Sequence, residues 1–319
     1  MDEQLLAHLR SLEGLEIREQ ASLSEYTRFG IGGPADLLVD AATEASMIAA
    51  LDILRDDVTA LEVIGEGSNL VVSDAGFRGV ILRYRASNID FQGFNAHVEA
   101  GAVLQTLVDE SIAHGLAGIH TMTGIPGSVV AAVYGNAGAY GRSISQSVAR
   151  VRYYDGVAVH ELSNAGCEFH YRESIFKKHK RWLILSVALD LEPGEGLTAK
   201  ADGIRNIRDE KYPPTMRCAG SIFKNLLLAE LSPETQARVP AKVVREGKVP
   251  AAWFLDEAGM KGMRVGGIHV ADYHANLIYN AGGGTAADLC AVIGECKRKV
   301  ADKFGFLLEE EVQYIGFTI

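Results

Sequence analysis

The sequence predicts an α+β protein of at least two lobes. Helical and extended apolar patterns alternate along the first two thirds, with hairpin signals among them. The run Glu192-Pro193-Gly194-Glu195-Gly196 breaks that periodicity and marks a boundary near 192–200. Beyond it, one long amphipathic helix lies between two extended runs. At 319 residues the chain is long enough to bury a core in each lobe.

The elements follow in order. Residues 45–54 carry apolar side chains at helical spacing behind Thr43, a natural N-cap. Residues 61–64 and 80–82 read as buried strands around a Gly-rich turn. Val103, Leu104, Leu107, Val108 and Ile112 form one helical stripe, which Gly115 stops. Residues 152–154 and 157–159 flank Asp155-Gly156, a two-residue hairpin signal. An extended run covers 182–191. Thr285 with Asp288 forms a capping box for a helix whose apolar face is Leu289, Val292, Ile293, Cys296, Val300 and Phe304, ended by Gly305. Strands at 276–279 and 312–315 flank it.

Composition narrows the function. With 48% hydrophobic and 23% charged residues the chain is globular, with no disordered segment. A formal charge of −10 argues against coating nucleic acid or an anionic membrane. It leaves an anionic small molecule open, because a local group of Lys and Arg can reverse the field. The opening Met1-Asp2-Glu3-Gln4-Leu5-Leu6 lacks the basic-then-apolar pattern of a secretory leader. No stretch approaches the ~20 apolar residues of a membrane span. The expectation is a cytoplasmic protein. Cys167, Cys218, Cys290 and Cys296 contain no CxxC pair, and Cys290 and Cys296 fall on different faces of one helix. They read as reduced, mostly buried thiols. No histidine spacing of the HExxH kind occurs, and no metal ligand is predicted.

Three segments concentrate glycine: Phe29-Gly30-Ile31-Gly32-Gly33-Pro34-Ala35, Gly65-Glu66-Gly67-Ser68-Asn69-Leu70, and Gly124-Ile125-Pro126-Gly127 continuing to Asn136-Ala137-Gly138-Ala139-Tyr140-Gly141. Glycine lets main-chain N–H groups approach a ligand, and such loops form anion-accepting nests. Each alone is accounted for as a tight turn. None fits GxGxxG at a strand–helix junction, and no Gly-Lys-Ser/Thr follows, so neither a Rossmann dinucleotide site nor a P-loop is indicated. Together they suggest a long ligand, a dinucleotide bound outside a Rossmann fold.

With Tyr26-Thr27-Arg28 preceding the first of them, these segments in this order resemble the UDP-N-acetylenolpyruvoylglucosamine reductase (MurB) family. So do Tyr171-Arg172-Glu173-Ser174-Ile175-Phe176, Gly220-Ser221-Ile222-Phe223-Lys224-Asn225, Ala252-Trp253-Phe254-Leu255-Asp256, Gly259-Met260-Lys261-Gly262, His274-Ala275-Asn276 and Glu309-Glu310-Glu311. The resemblance runs over 26–316. It implies an FAD-binding lobe of the vanillyl-alcohol-oxidase (PCMH) type in two subdomains, at 1–195 with a split near 80. A C-terminal α+β substrate domain at 196–319 follows, whose last strand can return to the first lobe. It implies bound FAD, NADPH as reductant, and a UDP-sugar carrying an enol ether and carboxylate as substrate, in cytoplasmic peptidoglycan precursor synthesis. Flavin contacts are implied at Gly65, Gly67, Ser68, Asn69, Gly124, Ser128 and Gly138. Arg172, Ser221 and Glu311 are implied as the catalytic set. Lys211, Lys224, Asn225 and Lys261 are candidates for the substrate diphosphate.

Read singly, an ion-paired Arg, a Ser in a turn and a solvated acidic edge need no function. The implied chemistry nonetheless suits these residue types. Hydride addition to the terminal vinyl carbon leaves negative charge over the adjacent carbon and carboxylate. The planar donors of Arg172 favour that charge. Ser221 supplies a proton to the carbanionic carbon, with Lys224 holding the resulting alkoxide. Glu311, if buried, is protonated and donates a hydrogen bond. Departures from the family pattern are Val130-Ala131 in place of a Gly-small pair, Leu226 and Glu310 where Pro is common, and Gln313 for a frequent Arg. The short connection from Ser174 to Ser221 matches the family's second type, which lacks an inserted tyrosine loop. Two other readings stay open: a flavin oxidase of the same lobe type, and a non-catalytic flavin-binding relative.

Overall fold

The structure is a computed structural model describing residues 3–56 and 60–317. Met1-Asp2 of the leader reading and residues 318–319 of the expected C-terminal domain lie outside the described residues. Contacts divide the chain into two compact units: Met1–Ala21, Ala35–Glu66 and Arg78–Pro213 form the first, and Ser22–Pro34, Gly67–Phe77 and Pro214–Ile319 the second.

The first unit is built on two sheets. One has four strands in the order Leu15–Ser22, Pro34–Ala41, Phe77–Tyr84, Leu61–Ile64. The run Val80-Ile81-Leu82 is fully buried because its strand is central. The strand Leu61–Ile64 pairs with it in parallel, Leu61 opposite Val80, but buries only Ile64. The expectation that 61–64 is a buried strand is corrected: as the sheet's edge it turns Glu62 and Val63 to solvent. Helix Glu44–Asp56 buries Met47, Ala50, Leu51 and Leu54 in the same core as Leu37, Val39 and Val80, with Thr43 Oγ1 accepting from the Ser46 N–H at 3.1 Å. Beside this core a three-way ion cluster is tied down: Asp40 accepts from Arg83 at 2.6 Å and from Arg18 at 2.8 Å. Burial opposes the Asp40 anion, yet hydrogen bonds and charge from Arg83 and Arg18 outweigh it and hold its carboxyl below the ordinary value.

The second sheet has the order Val159–Ser163, Val148–Tyr154, Leu183–Asp190, Asn95–Glu99, Ile89–Gln92. The hairpin expected on Asp155-Gly156 exists but turns one residue later. Asp155 N–H meets the Ala158 carbonyl at 3.2 Å, so Gly156-Val157 are the central residues, and the Asp155 carboxylate accepts from Val157 and Ala158 N–H at 2.7 and 2.9 Å. The helix Leu104–Ala113 buries Leu104, Leu107 and Val108 of the predicted stripe, with Ile112 half-buried; Val103 is corrected, standing exposed as the residue before the helix. Glu192-Pro193, inside the expected break, pairs with Ala117 and Leu116 of the first unit, and the helix Leu197–Lys211 also belongs there.

The second unit packs the helix Ala286–Phe304 against a three-stranded antiparallel sheet, Arg264–Val265, Ile268–Val270 and Ile278–Asn280. The predicted face, Leu289, Val292, Ile293, Cys296, Val300 and Phe304, is buried, and Phe254 meets Phe304 edge-on at 5.0 Å. Thr285 and Asp288 form the capping box. A second cap comes from Asp74, whose carboxylate accepts from Ala286 and Ala287 N–H at 2.8 and 3.0 Å. Those two bonds are among the ties that hold 67–77 in this unit. The segment 22–34 is held likewise, by Asn280 Nδ2 donating to the Phe29 carbonyl and Arg28 Nε to that of Cys218. Leu70–Val72 and Gln313–Ile315 pair in parallel. None of the four cysteines is in a disulfide, and Cys167, Cys218 and Cys296 are buried. Among the described residues no helix is long and apolar enough to cross a membrane.

Candidate active site

In the first unit the structure brings together two pairs of the sequence-predicted residues, Gly65 with Ser128 and Gly138 with Arg172. Ser128 stands at the N-cap of the helix Val129–Tyr134, yet its hydroxyl does not cap it. Ser128 is 2% exposed, and its Oγ has no hydrogen-bond partner among the described residues. The same holds for the buried Thr121 Oγ1 and His120 Nδ1 in the short 3-10 turn His120–Met122 before it. Burial lowers the His120 pKa, and the charges of Lys200 and Arg142 push the same way, so the imidazole is neutral at neutral pH. Gly124 N–H is held by Gln105 Oε1 at 2.6 Å. Gly65 approaches from the edge strand: a Cβ there would lie 2.6 Å from Ser128 Oγ. Gly65 and Ser128 are therefore neighbours around a buried, unsatisfied hydroxyl, which is the state expected of a group reserved for a ligand.

The second pair is Gly138 and Arg172. Arg172 Nη2 donates to the Gly138 carbonyl at 3.1 Å. Arg172 occupies a turn closed by His170 N–H to Glu173 O at 3.0 Å and the reciprocal bond at 3.1 Å, and its φ is +59°. Lys211 ends its helix with the ammonium 4.9 Å from the Tyr212 ring centroid.

In the second unit Gly67 needs both its conformation and its missing side chain. Its φ is +63°, and a Cβ would collide with the Tyr26 carbonyl oxygen. Ser68 and Asn69 form the turn that follows. Asn69 Nδ2 donates to the Glu311 carbonyl at 2.7 Å, and Gln313 N–H to the Asn69 carbonyl at 3.0 Å. Glu311 N–H in turn donates to Ile222 O at 2.7 Å, next to Ser221. Thus Asn69, Glu311 and the Ser221 segment form one connected group. The half-buried Ser221 bridges Leu277 across a short antiparallel contact. Lys224 bonds the Glu309 carboxylate, Lys261 pairs with Asp256 at 2.6 Å, and Asn225 Oδ1 accepts from Ala251 N–H at 3.2 Å. Glu310, at a departure from the family pattern, pairs with Lys297 at 3.0 Å. Glu311 is half-buried.

The sequence offers Asn276 only as part of a motif, without a role. It is 1% exposed; its Oδ1 accepts from Ile222 and Phe223 N–H at 3.1 and 2.9 Å, and its Nδ2 donates to Phe223 O at 2.9 Å. It shapes the backbone after Ser221. A polar residue between apolar Ala275 and Leu277 is the signal that could have found it. His120 and Thr121 carry no comparable sequence signal.

Comparison with known proteins gives this arrangement its family. The FAD binding domain family model matches residues 35–158, and the model of the UDP-N-acetylenolpyruvoylglucosamine reductase C-terminal domain matches 212–315. A UDP-N-acetylenolpyruvoylglucosamine reductase from Solibacter usitatus is 55% identical over 310 residues, covering 97% of this chain and 99% of that relative. The chain belongs to the UDP-N-acetylenolpyruvoylglucosamine reductase family. The reductase of the same name from Bacillus subtilis is 31% identical, over 98% of this chain and 99% of its own. The crystal structure of the Thermus caldophilus reductase superposes with a TM-score of 0.72 at 28% identity, covering 94% of this chain and 98% of that one. As a member of the reductase family the chain is an FAD-dependent oxidoreductase, with the α+β class and FAD-binding lobe that its sequence predicts. The reductase C-terminal domain model begins beside the division at Pro213 and Pro214.

Proposed function

We propose that this chain reduces UDP-N-acetylenolpyruvoylglucosamine to UDP-N-acetylmuramate, with NADPH as reductant and bound FAD, in the cytoplasmic supply of peptidoglycan precursors. The observation that carries the reading is 55% identity along 97% of the chain to a reductase of that name. Residues 1–195, divided near 80, would hold the flavin, and 196–319 the UDP-sugar.

The residues present fit a flavin dinucleotide. Ser128 Oγ, Thr121 Oγ1 and His120 Nδ1 are buried hydrogen-bonding atoms with no partner among the described residues, and Gly65 leaves open the space beside Ser128. Gly65, Gly67, Ser68, Asn69, Gly124, Ser128 and Gly138 are the proposed flavin contacts. When bound, FAD supplies the hydride that the protein itself cannot.

The side chains then divide the remaining tasks, Lys224 serving in two of them. Arg172 neutralises charge on the substrate carboxylate as it grows, and is worth about 10²–10³ in rate if it acts as a preorganised donor. Ser221 gives its proton to the carbanionic carbon, and Lys224 steadies the alkoxide left behind. Glu311 is the third proposed catalytic residue, its backbone held by Asn69 and by the Ile222 carbonyl beside Ser221. Lys211, Lys224, Asn225 and Lys261 hold the diphosphate. Lys224 and Lys261 are paired with Glu309 and Asp256, so binding there exchanges a carboxylate partner for a phosphate.

NADPH consumption measured with and without the UDP-enolpyruvyl sugar tests this reading. Substrate-dependent consumption is expected. Oxygen-dependent consumption indifferent to the sugar would instead indicate an oxidase, and a protein that takes up no FAD a non-catalytic relative.

A further inference from the structure

We infer that Lys177 is a positioning residue for Arg172, acting through the main chain; the inference rests on the role proposed for Arg172. Arg172 is the third residue of the four-residue turn His170 to Glu173, and its φ of +59° lies in the left-handed region. That position of a turn ordinarily takes Gly or Asn, because a Cβ is strained there. A glycine would relieve the backbone and remove the guanidinium. A strained residue persists only where its surroundings over-determine it.

Those surroundings can be named. Lys177 Nζ donates to the Arg172 carbonyl at 2.6 Å. Asn136 Nδ2 donates to the His170 carbonyl at 2.7 Å, which holds the start of the turn. Ser174 Oγ donates to the Tyr134 carbonyl at 2.7 Å, which holds the residue after it. Of the three, only Lys177 acts on Arg172 itself. Its side chain is 21% exposed, and the Glu173 carboxylate lies 3.6 Å from the same ammonium. An ammonium so placed could remain a solvated surface pair, worth little. Here it also meets a carbonyl that a left-handed residue turns out of any regular ladder, and which needs a donor. The Lys177 bond fixes the peptide plane after Arg172, and thereby the direction of its Cα–Cβ bond. The head is fixed independently, by the Gly138 carbonyl at 3.1 Å and by the Tyr171 ring with its centroid 5.2 Å away. Loss of the Lys177 donor leaves the peptide plane after Arg172 free to rotate within the closed turn, so the base of the side chain shifts and the Gly138 and Tyr171 contacts alone no longer hold the guanidinium in one position.

The test compares the FAD-loaded wild type with Lys177→Met, Arg172→Ala, the double variant and Lys177→Arg. Each is assayed for flavin content, for flavin reduction by NADPH, for kcat and KM with the UDP-enolpyruvyl sugar, and for calorimetric affinity toward UDP-N-acetylmuramate. Lys177→Met should keep its flavin and its rate of reduction by NADPH, while kcat for the sugar falls about 10²-fold, the usual cost of a misplaced group. Its product affinity should fall by the same factor as that of Arg172→Ala, and Lys177→Arg should recover most of both. The double variant should be no slower than Arg172→Ala alone, because the two residues act as one. Multiplied losses in the double variant, or a Lys177→Met enzyme within about threefold of wild type beside a crippled Arg172→Ala, would overturn the assignment. If Arg172→Ala itself retains full rate, the role of Arg172 fails, and that of Lys177 with it. Should Lys177→Met not fold, Lys177→Gln takes its place in the cycle, and the same losses support or overturn the assignment.

Discussion

The Asn69 side-chain amide donates to the main-chain carbonyl of Glu311 at 2.7 Å, across 242 positions of sequence. The Asn69 carbonyl receives Gln313 N–H at 3.0 Å, so one residue clamps both sides of the chain around Val312. Because Glu311 N–H also bonds Ile222 O at 2.7 Å, a Gly-rich segment near the start of the chain sets the backbone that presents two proposed catalytic residues.

Asn69→Ala removes that clamp. A net loss of about 1 kcal/mol is expected for the hydrogen bond, with up to about 3 kcal/mol if the Glu311 carbonyl is left unsatisfied. Denaturant unfolding measures it. Reduction of the UDP-sugar should slow more than reduction of flavin by NADPH; equal slowing would show that Asn69 serves only the flavin.

Gly65→Ala tests the flavin assignment of the first unit. A Cβ 2.6 Å from Ser128 Oγ must displace that hydroxyl, while Gly65 has no left-handed conformation to strain. Circular dichroism should therefore be unchanged and bound FAD lost on gel filtration. Full flavin occupancy would mean that Ser128 is not a flavin contact.

Acid sensitivity should trace to Asp40. Its carboxyl is depressed below 3.8, so its contribution to stability is complete above that pH and is lost as pH falls through the depressed folded value. Asp40→Asn should flatten the acid limb of the stability profile and cost about 3–5 kcal/mol at neutral pH, because Arg83 keeps its charge with little solvent around it. Urea melts from pH 7 to about pH 2 on both proteins check it, since the loss falls below the ordinary carboxyl value.

Thiol chemistry should be slow in the native protein. Burial pushes Cys167 up to about 11 and Cys296 up to about 12, and burial with the charges of Asp74 and Glu310 also raises Cys290. Iodoacetamide at pH 8 should label none of these three quickly, and all four cysteines once the chain is unfolded. Rapid native labelling of Cys167 or Cys296 would contradict the packing around it.

What is legible in the sequence is local. The Thr285–Asp288 cap and the buried stripe of the helix Ala286–Phe304 obey a 3.6-residue period that no distant contact changes. The Asp155-Gly156 signal places its hairpin one residue early, because a dipeptide does not include the carboxylate that draws in Val157 and Ala158. Strand 61–64 reads as buried since its letters are mostly apolar, but which strand becomes an edge is decided by its neighbours in the sheet. Membership of 67–77 in the second unit rests on pairing with Gln313–Ile315, on Asn69 bonded to Glu311 and on Asp74 capping Ala286, 212 positions away, and no window contains these. For the candidate site, motif order points to Arg172, Ser221 and Glu311. The devices that hold them, Lys177 on a strained carbonyl and Asn276 on the backbone after Ser221, emerge only in three dimensions.

The most direct measurement of the proposed reaction mixes anaerobically NADPH-reduced enzyme with the UDP-enolpyruvyl sugar and follows flavin absorbance, for wild type and Ser221→Ala. Stoichiometric reoxidation is expected in the wild type. In Ser221→Ala, normal reduction by NADPH should be followed by reoxidation slowed at least about 10²-fold, as for loss of a general acid. Reduced wild-type flavin that the sugar leaves unoxidised, or a Ser221→Ala enzyme equally slow in both half-reactions, would contradict it.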